Sequence, residues 1–470
     1  MSDNFCGIDF GTTNSSVAIS NGNEVKVLEL DAESDNATSL PSLVYISKDG
    51  EQIVGREAAN TFIERNVDRE VIVKQVELGV HIQGYVGGEG DNEYGQIQRK
   101  DSFDFTEAVT AKAMIEVNSP GRLFQSLKTL LRMKDFHGTE VFGTQYQIEE
   151  LTAIILRKIK AAVDREAGYS VETAVFGRPV RFSMRDSENE TAQRRLETAG
   201  HLAGFKNISF FYEPVGACVE YAMGDDRKQR LLVVDIGGGT FDVCIMEFGG
   251  QHGTAERLKN SRILSVSGVP IAGDAIDREI TREKMFPCFG SVARYGPSNL
   301  KFPQYLFNTI IDWQNIYKLN TEETINWLIA AESSSDQPET ILALRSLIQR
   351  NYGYPLARAV ETAKIQLSDV TETHIEFDKP DINIHEHIER TEFGHIIEHM
   401  LEKMEASLKE AEMLAGIKPN QIDRILTTGG TSLIPAVREM LAKRYGTDKL
   451  HKRDTFTSVA AGLAIVAQHT

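Results

Sequence analysis

Two stretches far apart in the chain share a small set of residues: an aspartate, then glycines and threonines at a sharp turn between apolar segments. The first runs Phe5 to Phe10, turns through Gly11-Thr12-Thr13-Asn14 and resumes as Val17-Ala18-Ile19. The second runs Leu231 to Asp235, turns through Ile236-Gly237-Gly238-Gly239-Thr240 and resumes as Phe241-Asp242-Val243-Cys244-Ile245. Polyphosphate recognition needs closely spaced backbone N–H donors, and glycine lets the main chain turn and approach a ligand with no side chain between. Neither turn is a P-loop, because Gly-x-x-x-x-Gly-Lys-Ser/Thr is absent. A third glycine turn, Thr428-Gly429-Gly430-Thr431, follows the apolar Ile425-Leu426. One such turn is an ordinary hairpin; three, two of them preceded by Asp, point to phosphate binding.

Asp9 and Asp235 each end a strand just before a glycine turn, so facing lobes would bring two carboxylates to the same phosphates. Such crowding calls for a cation, and Mg²⁺ is typically held by one or two carboxylates together with substrate phosphates. Other residues are mute on their own. Glu213 before Pro214 reads as a helix start. Lys128, in Leu123-Phe124-Gln125-Ser126-Leu127-Lys128, reads as one lysine on an amphipathic helix. Glu361 and Lys364 read as an i,i+3 pair with Ser368 beyond. His395-Ile396-Ile397-Glu398-His399 matches the H-x-x-E-H pattern of inverted zinc peptidases, but Ile396 and Ile397 turn its helix toward the core, which favours a solvated face for the histidines.

The elements that must position these groups follow from length and patterning. At 470 residues the chain exceeds the size at which one core stops growing, so two or more domains with a cleft between them are expected. Helical stretches near 148–166 and 188–203 flank a strand at Thr173-Ala174-Val175-Phe176. After the second hairpin come a helix-rich region from about 272 to 368, short strands near 373–384 and a long helix over about 391–415. That helix has an apolar stripe of Phe393, Ile396, Ile397, Met400, Leu401, Met404 and Leu408. The glycine- and acid-rich 84–95 and the polar Ser333-Ser334-Ser335-Asp336 read as exposed loops. Sixty-eight acidic side chains against 51 basic ones give a net charge of −17, which disfavours nucleic acid and anionic membranes as partners. Cys6, Cys218, Cys244 and Cys288 form no CxxC pair and read as buried free thiols of a reducing compartment. With no apolar run of membrane-spanning length and no leader after Met1, the expected location is the cytoplasm.

Taken together, the motifs resemble the heat-shock protein 70 family, and in particular its single-domain, YegD-like members. Gly7-Ile8-Asp9-Phe10-Gly11-Thr12-Thr13-Asn14-Ser15 resembles the family's first phosphate motif and Asp235 to Asp242 its second. Arg178-Pro179-Val180, Ala192-Gln193-Arg194 with Ala199-Gly200 and Ala203-Gly204-Phe205, and Tyr212-Glu213-Pro214 fall between them in the family's order. The resemblance implies an α/β, actin-like ATPase fold of two ribonuclease H-like lobes. Lobe I would be 1–228 with an insert at about 40–145. Lobe II would be 229–470 with a helical insert at about 271–385 and a last helix that crosses back.

The resemblance also assigns roles. It makes Lys128, Glu213, Asp235 and Thr240 catalytic, with Lys128 on the transferring phosphate and Glu213 positioning Mg²⁺ and the attacking water. Asp9, Asp235 and Glu213 would serve the Mg²⁺ site, and Asp242 a nearby K⁺ site. Gly11, Thr12, Thr13, Asn14, Gly237, Gly238, Gly239, Gly273 and Asp274 would line the phosphates of ATP or ADP. Glu361, Lys364 and Ser368 would clasp the ribose and adenine, with Gly429 and Gly430 opposite. Two positions depart from the family: Leu433 replaces an arginine that stacks on adenine, and Phe456 replaces an acidic residue. No peptide-binding domain is expected after Thr470. The expectation is an ATP-hydrolysing, chaperone-like switch serving a protein partner or co-chaperone; a nucleotide-gated scaffold and a small-molecule kinase are the alternatives.

Overall fold

The computed structural model describes residues 5–21, 24–83, 108–222, 227–248, 260–452 and 457–469. The loop expected at 84–95 and Phe456 lie outside them. Two sheets of the same topology organise the chain. In the first, the antiparallel hairpin Phe5–Phe10/Asn14–Ser20 carries Val25–Val27 on one side and the parallel strands Thr173–Arg178 and Asn207–Tyr212 on the other. In the second, the hairpin Gln229–Ile236/Phe241–Phe248 carries Arg262–Val269 on one side and the parallel strands Arg424–Thr428 and Leu450–Lys452 on the other. Each sheet is therefore a three-strand antiparallel unit extended by two parallel strands. Each also receives an insertion at the same point, after its third strand.

Helices cover the sheets because parallel strands are joined by helical crossovers. Ile148–Ala167 and Asp186–Ala203 serve the first sheet; Glu398–Ala415 and Pro435–Tyr445 serve the second. Ile148–Ala167 starts with a capping box at Gln147/Glu150 and stops at Gly168, which takes a left-handed conformation. The remaining pair is exchanged. Glu213–Ala222, which ends the first half of the chain, lies against the second sheet, and Ser458–His469, which ends the second half, packs on the first. The two cross at Gly216 and Gly462.

The first insertion contains the sheet Val44–Ser47, Gln52–Val54 and Gly121–Phe124, the helix Arg56–Asn66 and the ribbon Val73–Gln83/Ala108–Glu116. The second contains helices Gly273–Ile280, Gln304–Ile311, Glu322–Glu332, Pro338–Gln349 and Gly353–Gln366, then the hairpin Glu372–Lys379/Ile382–Glu389. The helix expected over 391–415 is two pieces, Arg390–Ile396 and Glu398–Ala415, broken at Ile397. Phe393, Ile397, Met400, Met404 and Leu408 are buried as the stripe requires. Ser333, Ser334 and Asp336 are exposed, in the turn between two helices.

The insertions meet across the top of the cleft. Phe62 and Tyr354 are buried there, and with Trp313 they form a ring cluster whose centroids lie 4.9 to 5.6 Å apart. Beside it, Asp68 N–H donates to Arg350 O (3.0 Å), Asn351 Nδ2 to Asn66 O (3.0 Å), and Tyr352 OH and Arg350 Nη1 both donate to Asp68 Oδ1 at 2.6 and 3.0 Å. Asp68 and Asn351 both adopt positive φ, which Asp and Asn tolerate better than most residues.

Candidate functional site

Between the sheets and under the insertions runs a cleft of about 1670 Å³, larger than the roughly 300–1,000 Å³ of most small-molecule sites. Its floor is the two glycine turns face to face. A Cβ on Gly238 would come within 2.0 Å of Thr13 Oγ1, so any larger residue there would have to displace the Thr13 hydroxyl. Both turns are held from behind through their carbonyls. Ser42 donates its N–H to Thr13 O (2.8 Å) and its hydroxyl to Gly11 O (2.9 Å). Gly273 N–H, Asp274 N–H and Thr431 Oγ1 donate to Gly237 O, Gly238 O and Gly237 O at 3.2, 2.8 and 2.8 Å. Thr12, Thr13, Asn14, Gly237, Gly239 and Thr240 also line the cleft.

Lys128 and Glu213 are buried at the cleft base, with Lys128 Nζ 2.6 Å from Glu213 Oε1. Leu123 and Phe124 belong to a strand, and Lys128 stands on a one-turn helix, Leu127–Leu130, rather than the amphipathic helix its neighbours suggest. Burial opposes its charge, but the carboxylates of Glu213, Asp9 and Asp242 outweigh that and raise its pKa above the ordinary lysine value. The same crowding acts in reverse on the acids. Burial pushes Asp9 well above the usual range, and Glu213 and Asp235 add to it against the pull of Lys128. Glu213 and Asp235 are raised chiefly by burial; Thr428 Oγ1, donating to Asp235 Oδ1 at 2.7 Å, opposes the shift.

Asp242 is the antiparallel partner of Asp235 across the second hairpin, as Ser16 is of Asp9 across the first. It is fully buried, and burial followed by the Glu213 charge pushes it up to about 8. Oδ1 accepts Val180 N–H at 2.7 Å, and the Thr240 hydroxyl also opposes the rise. This gives Arg178-Pro179-Val180 a physical role: Val180 caps Asp242, and the Arg178 guanidinium lies 5.4 Å from the Tyr212 ring, beside Glu213. Four carboxylates against one lysine suit a hard divalent ion, which Asp9, Glu213 and Asp235 could hold.

Farther along, Asp274 begins the helix Gly273–Ile280 and accepts Ser126 Oγ at 3.1 Å. Lys364 is buried and donates to Asp277 Oδ2 at 2.7 Å. This replaces the i,i+3 pair expected from sequence, and Glu361 instead pairs with Arg358. Asp277 is raised to about 7 by burial, and its Oδ1 is unpartnered. No sequence signal singles it out, since an acid one turn after Asp274 is routine near a helix start. Ser368, Gly429 and Gly430 line the same end of the cleft, with Ile365, Leu433, Ile434, Arg358 and Arg438. Gly429 has φ +77, and a Cβ there would stand 2.2 Å from Ile236 O, so the third turn tolerates only glycine.

The protein-family model described as "Hsp70 protein" matches residues 5–259 and 349–469. The chain belongs to the Hsp70 family. With membership comes the actin-like ATPase fold, whose paired, equally wound sheets are those described above. Two relatives, each a "Chaperone protein DnaK" and drawn from two strains of Thermus thermophilus, are 26% identical over 98% of this chain. The alignment covers 60% of each relative, so the chain spans about three fifths of their length. Residues 260–348, most of the helical insertion, fall outside the match to the Hsp70 family model.

His395, Glu398 and His399 are exposed, and the helix break at Ile397 divides them between two helices. They enter no three-ligand cluster among the described residues. Cys6, Cys218 and Cys244 are buried and Cys288 half-buried, all unpaired; burial raises every one of them, Cys244 to about 12 and Cys288 to about 11. Among the described residues no helix is long and apolar enough to cross a membrane.

Proposed function

We propose that this Hsp70-family chain binds ATP in the cleft with the phosphates between the two glycine turns, hydrolyses it slowly, and uses lobe closure as a switch read by a protein partner or co-chaperone. The observation that carries the reading is the buried Lys128–Glu213 pair set among Asp9, Asp235 and Asp242 at the meeting point of the turns. On this reading the lobes divide at 228/229, with inserts at about 40–145 and 271–385 and the last helix returned to lobe I. Backbone N–H groups of Gly11 to Asn14 and Gly237 to Thr240 bind the phosphates. Lys128 neutralises charge on the transferring group while its ion pair fixes Glu213 to orient the attacking water. Asp9, Asp235 and Glu213 would serve a Mg²⁺ site and Asp242 a K⁺ site; Mg²⁺ when bound supplies charge neutralisation for the phosphates. Ile365, Leu433 and Ile434 give the base an apolar seat, with Glu361, Lys364 and Ser368 on the ribose side and Gly429 and Gly430 facing them. Unpaired thiols fit a cytoplasmic protein.

The test is nucleotide affinity by calorimetry together with single-turnover hydrolysis. Wild type should bind and hydrolyse ATP. Lys128→Ala should bind but lose on the order of 100-fold in the chemical step, and Asp235→Ala should lose Mg²⁺-dependent affinity. Binding without turnover in the wild type would replace the ATPase by a nucleotide-gated scaffold. Turnover seen only with an added sugar would make it a kinase.

A further inference from the structure

The hairpin Glu372–Lys379/Ile382–Glu389 buries one face through Ile375, Phe377, Ile382, Ile384 and Ile388. Its other face is exposed, and the register sets Glu372 opposite Glu389, His374 opposite His387 and Glu376 opposite His385. Like charges directly opposed across a sheet are destabilising. Here Glu372 and Glu389 form such a pair, and His374 and His387 stand beside it at the root of the hairpin, so two carboxylates and two imidazoles share one exposed face.

The ligand atoms of Glu372, His387 and Glu389 all lie within 4.8 Å of one another. His387 Nε2 is 3.4 Å from Glu372 Oε2, and the His374 and His387 rings are 5.1 Å apart between centroids. A tetrahedral metal with bonds of about 2 Å holds its ligand atoms roughly 3.3 Å apart, a contraction that exposed side chains reach by changing rotamer. The root is also anchored. Arg390 donates to Leu367 O and Val370 O at 3.0 and 2.6 Å, its N–H donates to Thr371 O, and Thr391 Oγ1 donates to Glu389 Oε2 at 3.3 Å, orienting that carboxylate.

We propose that this face binds a divalent transition-metal ion of the Zn²⁺ class, with Glu372, His387 and Glu389 as ligands and His374 completing the set. Two imidazoles with two carboxylates favour such an ion over Mg²⁺ or Ca²⁺, which take oxygen ligands. The site is separate from the cleft carboxylates and independent of nucleotide chemistry.

The experiment is a calorimetric titration of the intact protein with zinc chloride, in excess magnesium to occupy the cleft carboxylates and without nucleotide, which chelates zinc. The expected result is one saturable site of micromolar affinity. His387→Gln and Glu389→Gln should each weaken it at least about tenfold, with unchanged circular dichroism, while the double change His395→Gln/His399→Gln leaves it intact. No saturable uptake by the wild type, wild-type affinity in His387→Gln, or loss in the His395/His399 variant would overturn the assignment.

Discussion

Asp242 carries the clearest consequence at the scale of a single residue. A buried carboxyl held near 8, with Asp277 near 7, binds its proton more tightly in the folded chain than in the unfolded one, where the value is about 3.9. The folded state then holds more protons across that interval, so stability falls as pH rises from about 4 to about 8. Thermal melts of nucleotide-free protein in chelator should show the midpoint dropping between about pH 5.5 and 8, and Mg·ADP should flatten the slope. A slope that Mg·ADP leaves unchanged would mean that neither carboxyl responds to an occupied cleft. Asp242→Asn, which has no proton to lose, should flatten this slope, so that its stability relative to wild type rises with pH up to about 8; the same melts check it. Asp9 and Asp235 were legible in the sequence because each abuts a glycine turn. Lys128 was legible only through family likeness, and Asp277 not at all, because their partners lie 85 and 87 residues away.

Among the elements, the hairpins and most helices follow from period and punctuation, whereas the order of strands does not. Asp235 pairs with Asp242 through a local turn, but Leu231 pairs with Arg424 across almost two hundred residues, and no local pattern specifies such a partner. The break at Ile397 was hidden too, since Phe393, Ile397 and Met400 keep the stripe continuous through it. The crossing of Glu213–Ala222 with Ser458–His469 depends on two glycines. A Cβ on Gly462 would lie 1.7 Å from Gly216 O, so Gly462→Ala should cost about 3 kcal/mol by forcing the helices apart. Gly394 sits in a helix with nothing within 4 Å of its missing Cβ; Gly394→Ala should be neutral or stabilise by about 0.5–1 kcal/mol. Denaturant unfolding of the pair separates close packing from backbone entropy.

For the whole molecule, the ring cluster of Phe62, Trp313 and Tyr354 and the bonds of Asp68 to Arg350 and Tyr352 join the insertions over the cleft. On the proposed reading, nucleotide held beneath them would leave by way of this contact. Trp313→Ala or Tyr352→Phe should therefore speed release of a fluorescent nucleotide roughly tenfold, the equivalent of about 1.4 kcal/mol, with little change in the hydrolysis step; an unchanged release rate would show that the contact does not gate exit. Trp313 lies in the stretch outside the family match, Tyr352 and Tyr354 within it, so this closure joins shared and particular parts of the chain. The exchanged helices bear on how the protein is made. The first sheet is covered on one side by Ser458–His469, which leaves the ribosome more than two hundred residues after the last strand of that sheet. At roughly 5–20 residues per second, the nascent first half waits on the order of ten seconds or more with an uncovered apolar face, and its burial comes only after every strand of the second sheet has been made.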